Sequence, residues 1–318
     1  MTDIHQFIEW NRRQGHKIVQ TESTYWVSAG MGTYQAVPYH ATISPSEAEL
    51  QTLFGKHKAV ALRYSTPIEN TEGSLSYHVV YEKQGYALND LPKKARHDVK
   101  KGLSIATVLP IPLSRLATEG WNLRYETLKR QKRTGAESKE WWNMLCLSAE
   151  GLGGFEAWGA TVDGTLTAAL LGMQLENTYC IFFQQSLTDF LRFGVNNALT
   201  YVVTSEIIQR PEVNQIFYGL HSLDAPSSVD EYKFRMGYAP KPVRQRIVFS
   251  PILRPLVNPL SHAVLKTALR LLPSSYLFAK AEGMFRFYLN GKQPLERQTL
   301  PPLLAGQETK IPQVNQQF

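Results

Sequence analysis

The 318-residue chain has only two cysteines, Cys146 and Cys180, with no CxxC pair and no Cys/His group at zinc spacing. That rules out a disulfide framework or a structural zinc site as the basis of folding. A chain of this length needs neither, since it buries roughly three quarters of its unfolded surface. A reducing, cytoplasmic compartment is the expectation. Long apolar runs are missing too: the longest strongly apolar, uncharged stretch, Gly164 to Leu175, has 12 residues. A membrane-spanning helix requires roughly 20. The opening residues from Met1 to Glu9 lack a basic segment followed by an apolar one, so no signal peptide is expected. No Ser/His/Asp triad, paired-carboxylate or metal signature can be read from spacing, and the expected metal complement is none.

What the sequence has is unevenly placed charge. Residues 91–133 carry a net +8, residues 134–243 a net −6, and residues 244–297 hold nine basic and two acidic residues. Such asymmetry suits a polyanionic partner: cofactor phosphates, a nucleic acid or an anionic lipid surface. Two solvated basic faces account for it equally well.

Residues 1–90 read as short strands with modest helix. Thr24–Ser28, Ala59–Tyr64 and Ser76–Glu82 are rich in β-formers. Ser44-Pro45-Ser46-Glu47 predicts a helix start, with Ser44 as cap and Glu47 completing a capping box. A second helix is bounded by Asn89 or Asp90 as cap, Pro92 in the first turn and Gly102 as stop signal. Its apolar stripe is Leu91, Ala95 and Val99; the rest of its circumference is basic.

A strand over Leu103–Leu109 and helices over 114–133 and 138–150 are expected next, then a glycine loop at 151–154. Phe155–Val162 and Thr165–Leu175 predict a hairpin through Asp163-Gly164. The strand Thr178–Ser186, a helix from Val195 to Arg210, the strand Gln215–Leu220, a short helix over Val229–Met236 and the strand Arg244–Phe249 follow. This order is an α+β layout with a mixed sheet. Beyond it, His262–Leu272 and Tyr276–Leu289 are amphipathic and flanked by basic residues. Packing on the core is the default expectation for them; in-plane, peripheral membrane contact through 261–289 is the alternative. Residues 298–318, rich in Gln and Pro, read as a disordered tail.

Three passages resemble the Fem-type branch of the GNAT superfamily of N-acyltransferases. Leu91–Leu103 is similar to its L-x-x-K-x-R-x-x-[IV]-x-[KR] helix. Tyr125–Gln131 is similar to a helix with a Thr and an Arg one turn apart, and Tyr232–Tyr238 to its F-K-x-x-F-G terminus. In order, at these intervals, they span residues 76–250. The resemblance implies a GNAT-like mixed β-sheet flanked by helices at 91–250. It allows a degenerate first copy in 1–90, making a double GNAT unit, with a helical segment at 251–297 and the tail after it.

It also implies a site. In the superfamily, the pyrophosphate of acyl-CoA rests on the backbone N–H groups of an R/Q-x-x-G-x-G/A loop at a helix N-terminus. Here Gly194 stands at the first glycine, Asn196 at the second, and Arg192 one place from the basic position. Arg192, Gly194, Val195, Asn196 and Asn197 are thus the expected donor contacts, with Gln185 at the end of the preceding strand. An ordinary helix cap is the alternative.

Lys233, at the lysine of the third motif, is the expected catalytic cation. Tyr232 is a candidate proton donor or a packing residue. His221, directly after a strand, is a candidate general base, its ordinary pKa of about 6.5 suiting amine deprotonation. Lys94, Arg96 and Arg130 are expected to contact an anionic acceptor or a tRNA acceptor stem. The function implied is transfer of an acyl group from acyl-CoA or acetyl-CoA to an amine of a small molecule or cell-envelope precursor. The alternatives are an aminoacyl-tRNA-dependent peptidyl transferase, and a non-catalytic module binding anionic lipid or a partner.

Overall fold

The computed structural model describes residues 3–131, 133, 137–223, 227–272, 275–301 and 304. They divide into two compact units. The first comprises Met1–Gln14, Val79–Gly219 and Ala225–Ala239; the second comprises Gly15–His78, Leu220–Asp224 and Pro240–Phe318.

The chain opens with α1 (Ile4–Arg13), β1 (Ile18–Gln20), β2 (Tyr25–Ser28), β3 (Thr33–Val37), α2 (Glu47–Gly55), β4 (Ala61–Thr66) and β5 (Ser74–Tyr81). Next come α3 (Lys93–Leu103), β6 (Thr107–Ile111), α4 (Leu113–Arg130), α5 (Lys139–Leu147), β7 (Phe155–Val162), β8 (Thr165–Leu175) and β9 (Thr178–Ser186). The remainder is α6 (Thr188–Leu191), α7 (Val195–Ile208), β10 (Gln215–Leu220), α8 (Ser227–Arg235), β11 (Ala239–Phe249), α9 (Pro259–Leu271) and α10 (Tyr276–Gly291).

In the first unit the strand order is β10-β9-β8-β7-β6. All neighbours are antiparallel except β9 and β10, which run parallel across the α7 crossover. In the second unit the order is β1-β2-β3-β4-β11. Here β3 and β4 are the parallel pair, and α2 is the crossover. Each unit therefore makes an antiparallel meander and then a single β-α-β step, so the α+β class and the doubled construction expected from the sequence are both present.

In the first unit, α1 docks through Trp10, whose indole donates to the Leu145 carbonyl at 3.0 Å and stacks on Phe182 at 5.1 Å. Trp142 is buried, donating to the Leu116 carbonyl at 3.1 Å. Both cysteines are buried free thiols whose pKa burial raises, so neither is a ready nucleophile. In the second unit Trp26 and Tyr64 meet edge to face at 5.7 Å among Leu50, Leu53 and Leu62.

Five local expectations are corrected. The α2 cap is Ser46, not Ser44: its side chain accepts from Glu49 N–H while Glu49 accepts from Ser46 N–H. Both registers satisfy the S-x-x-E spacing, and the later one puts Leu50 and Leu53 into the core. The helix α3 has Pro92 at its cap with no side-chain bond, and Asp90 closes a tight turn on the Ala87 N–H instead. It runs through Gly102 to Leu103, so β6 starts later than expected. Finally, α9 buries no residue, whereas Met284, Phe287 and Tyr288 anchor α10. The stretch read as a tail begins as docked chain: buried Gln298 accepts from Leu75 N–H at 2.8 Å. Residues 305–318 lie outside the described residues.

The second unit carries a testable pH dependence. His78 on β5 is buried with Nε2 2.8 Å from Ser65 Oγ. Burial first, then the positive charge of His40, Lys241 and Arg63, lowers its pKa to about 3. Burial and Lys241 lower His40 to about 4. The unfolded chain binds these protons near pH ~6.5, so the folded state is at full stability above that value. Stability then falls as pH drops toward 4, by about 1.4 kcal/mol per pH unit for a fully buried histidine. The melting temperature is expected to decline steadily from pH 7 to 5, and His78→Asn to flatten that decline. An equal slope in the variant would remove His78 from the account.

Candidate active site

The parallel pair β9 and β10 is in register only over Thr178–Cys180 and Gln215–Phe217. Beyond these residues each strand continues without pairing to the other. Their divergence has a local cause. Opposite β8, Leu171 pairs with Phe183 and Gly172 with Ile181, leaving Phe182 as a bulge that bends β9. Phe182 turns instead onto the α1 aromatics, 5.4 Å from Phe7 and 5.1 Å from Trp10.

The opening is spanned by a polar network. The Tyr218 hydroxyl on β10 donates to Gln184 Oε1 on β9. Gln184 Nε2 donates to Thr200 Oγ1 at 2.7 Å and to Asn196 Oδ1 at 2.9 Å, both on α7. From α8, the Tyr232 hydroxyl donates to the Asn196 carbonyl at 2.9 Å and lies 2.7 Å from Thr200 Oγ1. Burial raises the Tyr218 phenol well above its usual range and pushes Tyr232 up to about 12, against hydrogen bonds that lower it. At neutral pH both are therefore phenols, donors that lock four elements together. Tyr232 is committed to this bridge.

Beside the bridge stands Lys233. Its Nζ lies 2.9 Å from Asp230 Oδ1, one turn earlier on α8, and 5.1 Å from the Tyr218 ring centre. Both charged side chains are largely buried. Gly219 adopts φ +121°, which glycine tolerates and other residues rarely do, and a Cβ there would stand 3.8 Å from the ammonium. The missing side chain leaves the end of β10 open toward the cation.

The end of β9 is held by the second sequence motif. Arg130 donates to the Ser186 carbonyl at 2.9 Å and to Ser186 Oγ at 3.2 Å. Thr127 Oγ1 accepts the Ser186 N–H at 3.2 Å. The Thr and Arg one turn apart thus clamp a strand terminus. Next to the clamp, the Gln185 side chain is buried, and neither its oxygen nor its nitrogen has a hydrogen-bond partner among the described residues.

The remaining sequence candidates fall in different places. Gly194 caps α7 at φ +76°, and a Cβ there would collide with the Asp98 carbonyl of α3. Gly102 on α3 meets the Gly194 carbonyl in the same way. The glycine at the loop's first position is therefore explained by a backbone-to-backbone crossing of two helices. Val195 is buried, and Asn197 Nδ2 lies 3.3 Å from Met236 Sδ. The Asn196 side chain is turned onto Gln184. Arg192 is exposed, its guanidinium 4.7 Å from the Phe193 ring centre. Lys94 is exposed on α3, and Arg96 donates to Asn89 Oδ1 at 3.3 Å.

His221 falls in the second unit. There it stacks on Tyr77 at 4.6 Å, with Nδ1 3.2 Å from Ser76 Oγ. Among the described residues no group of His, Cys, Asp and Glu is arranged to hold a metal ion.

Sequence reasoning left Tyr218, Thr200 and Asp230 unmarked. The i, i+4 spacing of Asn196 and Thr200, and the i, i+3 spacing of Asp230 and Lys233, are the only local signals they carry.

No protein-family model matches the sequence, and no curated protein matches it. Solved structures do match in fold. FemX is similar over 78% of this chain and 92% of its own, at 10% identity and a TM-score of 0.54. The fold is that of the Fem-type GNAT proteins. A second similar structure is the C-terminal domain (DUF2156) of a proposed lysylphosphatidylglycerol synthetase from Agrobacterium fabrum, at 11% identity over 76% of this chain and 87% of that one, TM-score 0.51. A tandem GNAT protein from the clavulanic acid biosynthesis pathway matches 73% of this chain and 82% of its own at 9% identity, TM-score 0.47. The separated pair β9 and β10 of that fold is spanned here by a tyrosine–glutamine bridge.

Proposed function

We propose that the first unit transfers an acyl group from an activated carboxyl donor to an amine, and that the donor is an aminoacyl ester on a polyanionic carrier, aminoacyl-tRNA. The observation that supports this choice is the bridge. A pantetheine arm passing between β9 and β10 would have to break the Tyr218–Gln184 contact, and with it the bonds to Thr200 and Asn196. An ester presented from outside the strand gap breaks none of them. Phosphate contacts for the carrier are available on α3, where Lys93, Lys94 and Lys100 are all exposed.

In the step itself, a neutral amine attacks the ester carbonyl carbon and the C–N bond forms. Negative charge gathers on the carbonyl oxygen, and the C–O bond then breaks. The leaving ribose hydroxyl takes up a proton as the amine loses one. The Lys233 ammonium, held by Asp230 near the open end of β10, is the group placed to stabilise that oxyanion.

The test offers labelled aminoacyl-tRNA and acetyl-CoA in parallel, with amine acceptors that include cell-envelope peptide precursors. Transfer from aminoacyl-tRNA, weakening as salt rises, is expected. Transfer from acetyl-CoA alone would overturn the donor assignment. One variant refines it: Asn196→Gly removes the Gln184 contact and clears the loop's second glycine position. Calorimetry is expected to show no CoA binding in either protein, with a stability loss of about 1 kcal/mol in the variant. CoA affinity appearing in the variant would show that the loop still cradles a pyrophosphate.

A further inference from the structure

The helix α9 in the second unit lies on α10 yet buries no residue of its own. Leu265, Ala268 and Leu269 on its inner side are half-buried, and a second set of apolar residues faces outward. Leu260 is 77% exposed, Val264 64% and Leu271 77%. At 3.6 residues per turn these three positions fall within about 40° of one another, so they form one stripe along the helix. The chain entering α9 extends it: Ile252 is 86% exposed and Leu256 62%.

The charge beside the stripe has one sign. Lys266 and Arg270 are exposed on the same flank of α9, about 140° and 100° around the helix from the centre of the stripe, and no acid lies on that helix. Residues 244–297 as a whole hold nine basic and two acidic residues. One of the acids, Glu282 on α10, is already taken by His262 at 3.0 Å and Arg286 at 3.4 Å. Behind Lys266 opens a cavity of about 590 Å³, lined also by His262, Arg286 and Arg297. A solvent-facing apolar stripe of this size is unfavourable in water unless something covers it. A basic rim beside it selects a covering surface that is apolar below and anionic above. No described helix is long and apolar enough to cross a membrane.

We propose that α9 docks the second unit on an anionic lipid bilayer. Leu260, Val264 and Leu271 enter the boundary between headgroups and acyl chains, while Lys266 and Arg270 meet headgroup phosphates. The docking stands whether or not the first unit transfers acyl groups. It places the chain at a surface and makes no statement about its substrate.

Vesicle sedimentation of the full chain tests it. Binding to vesicles of equal phosphatidylglycerol and phosphatidylcholine is expected, at least tenfold stronger than to phosphatidylcholine alone and weakened by salt. Leu260→Glu with Leu271→Glu is expected to reduce binding at least tenfold with an unchanged melting temperature, since both side chains face solvent. Lys266→Glu with Arg270→Glu is expected to erase the preference for the anionic vesicles. The proposal is overturned if the wild-type chain ignores anionic vesicles at low salt, or if the leucine variant binds them undiminished. It is equally overturned if sedimentation equilibrium finds a dimer that the leucine variant dissociates, because the stripe then belongs to a second copy.

Discussion

Gly194→Ala is expected to lower the stability of the first unit by more than about 3 kcal/mol, and Gly102→Ala to act in the same direction. Two costs combine at Gly194. Its φ of +76° lies in the left-handed region, where a residue with a Cβ is strained by about 1–2 kcal/mol. The added Cβ would also run into the Asp98 carbonyl, a backbone atom of α3 that no rotamer change can move aside. A reference for the first cost exists in the same unit. Gly151 has φ +73° with nothing within 4 Å of its Cβ position, so Gly151→Ala measures backbone strain alone. Urea denaturation of the two variants should therefore differ by the cost of forcing α3 off α7. If they match, the close crossing of the helices is not what requires glycine at 194. Because α7 also carries Asn196 and Thr200, any loss of the crossing should slacken the bridge across β9 and β10 as well.

That crossing also shows what a sequence can and cannot disclose. The hairpin Phe155–Leu175 was legible because its turn is local: Asp163 and Gly164 both take positive φ, the geometry an Asp-Gly pair favours. Strand β9 likewise spans Thr178–Ser186, the bounds its sequence predicted. Gly102 was misread as a stop because a glycine late in a helix has two physical uses, to end it or to admit another backbone. Only the tertiary partner, Gly194, distinguishes them. For His262–Leu272 and Tyr276–Leu289 both core packing and membrane contact stood open for a similar reason: an apolar face says that something covers it without saying what. The candidate site was the least legible part. Gln184, Thr200, Tyr218 and Tyr232 converge from four elements, and no period or spacing connects them. The Thr127/Arg130 motif was visible as a pattern, and its meaning as a clamp on Ser186 required the strand to be in place.

On the proposed acyl transfer, Lys233→Met is expected to reduce turnover at least 100-fold, about 2.7 kcal/mol of transition-state stabilisation. Taken alone, that result would be ambiguous. Asp230 is buried and bonded to the ammonium at 2.9 Å, and removing one member of a buried pair costs up to about 3–5 kcal/mol. A folding defect would then imitate a catalytic one. Lys233→Met combined with Asp230→Asn separates the two, because it leaves no uncompensated charge, and its stability should return to within about 1.5 kcal/mol of the parent. If the ammonium acts on the oxyanion, turnover stays low in this refolded double variant. If the pair only braces α8 against Tyr218, stability and turnover recover together, and Lys233 leaves the mechanism. Lys233→Arg adds a third reading: the charge and the ion pair persist, but the cation is spread over a planar fork that is not confined to one point near Gly219. Partial turnover in a fully stable Lys233→Arg protein would locate the effect in where the positive charge sits, which is what an oxyanion at the end of β10 demands.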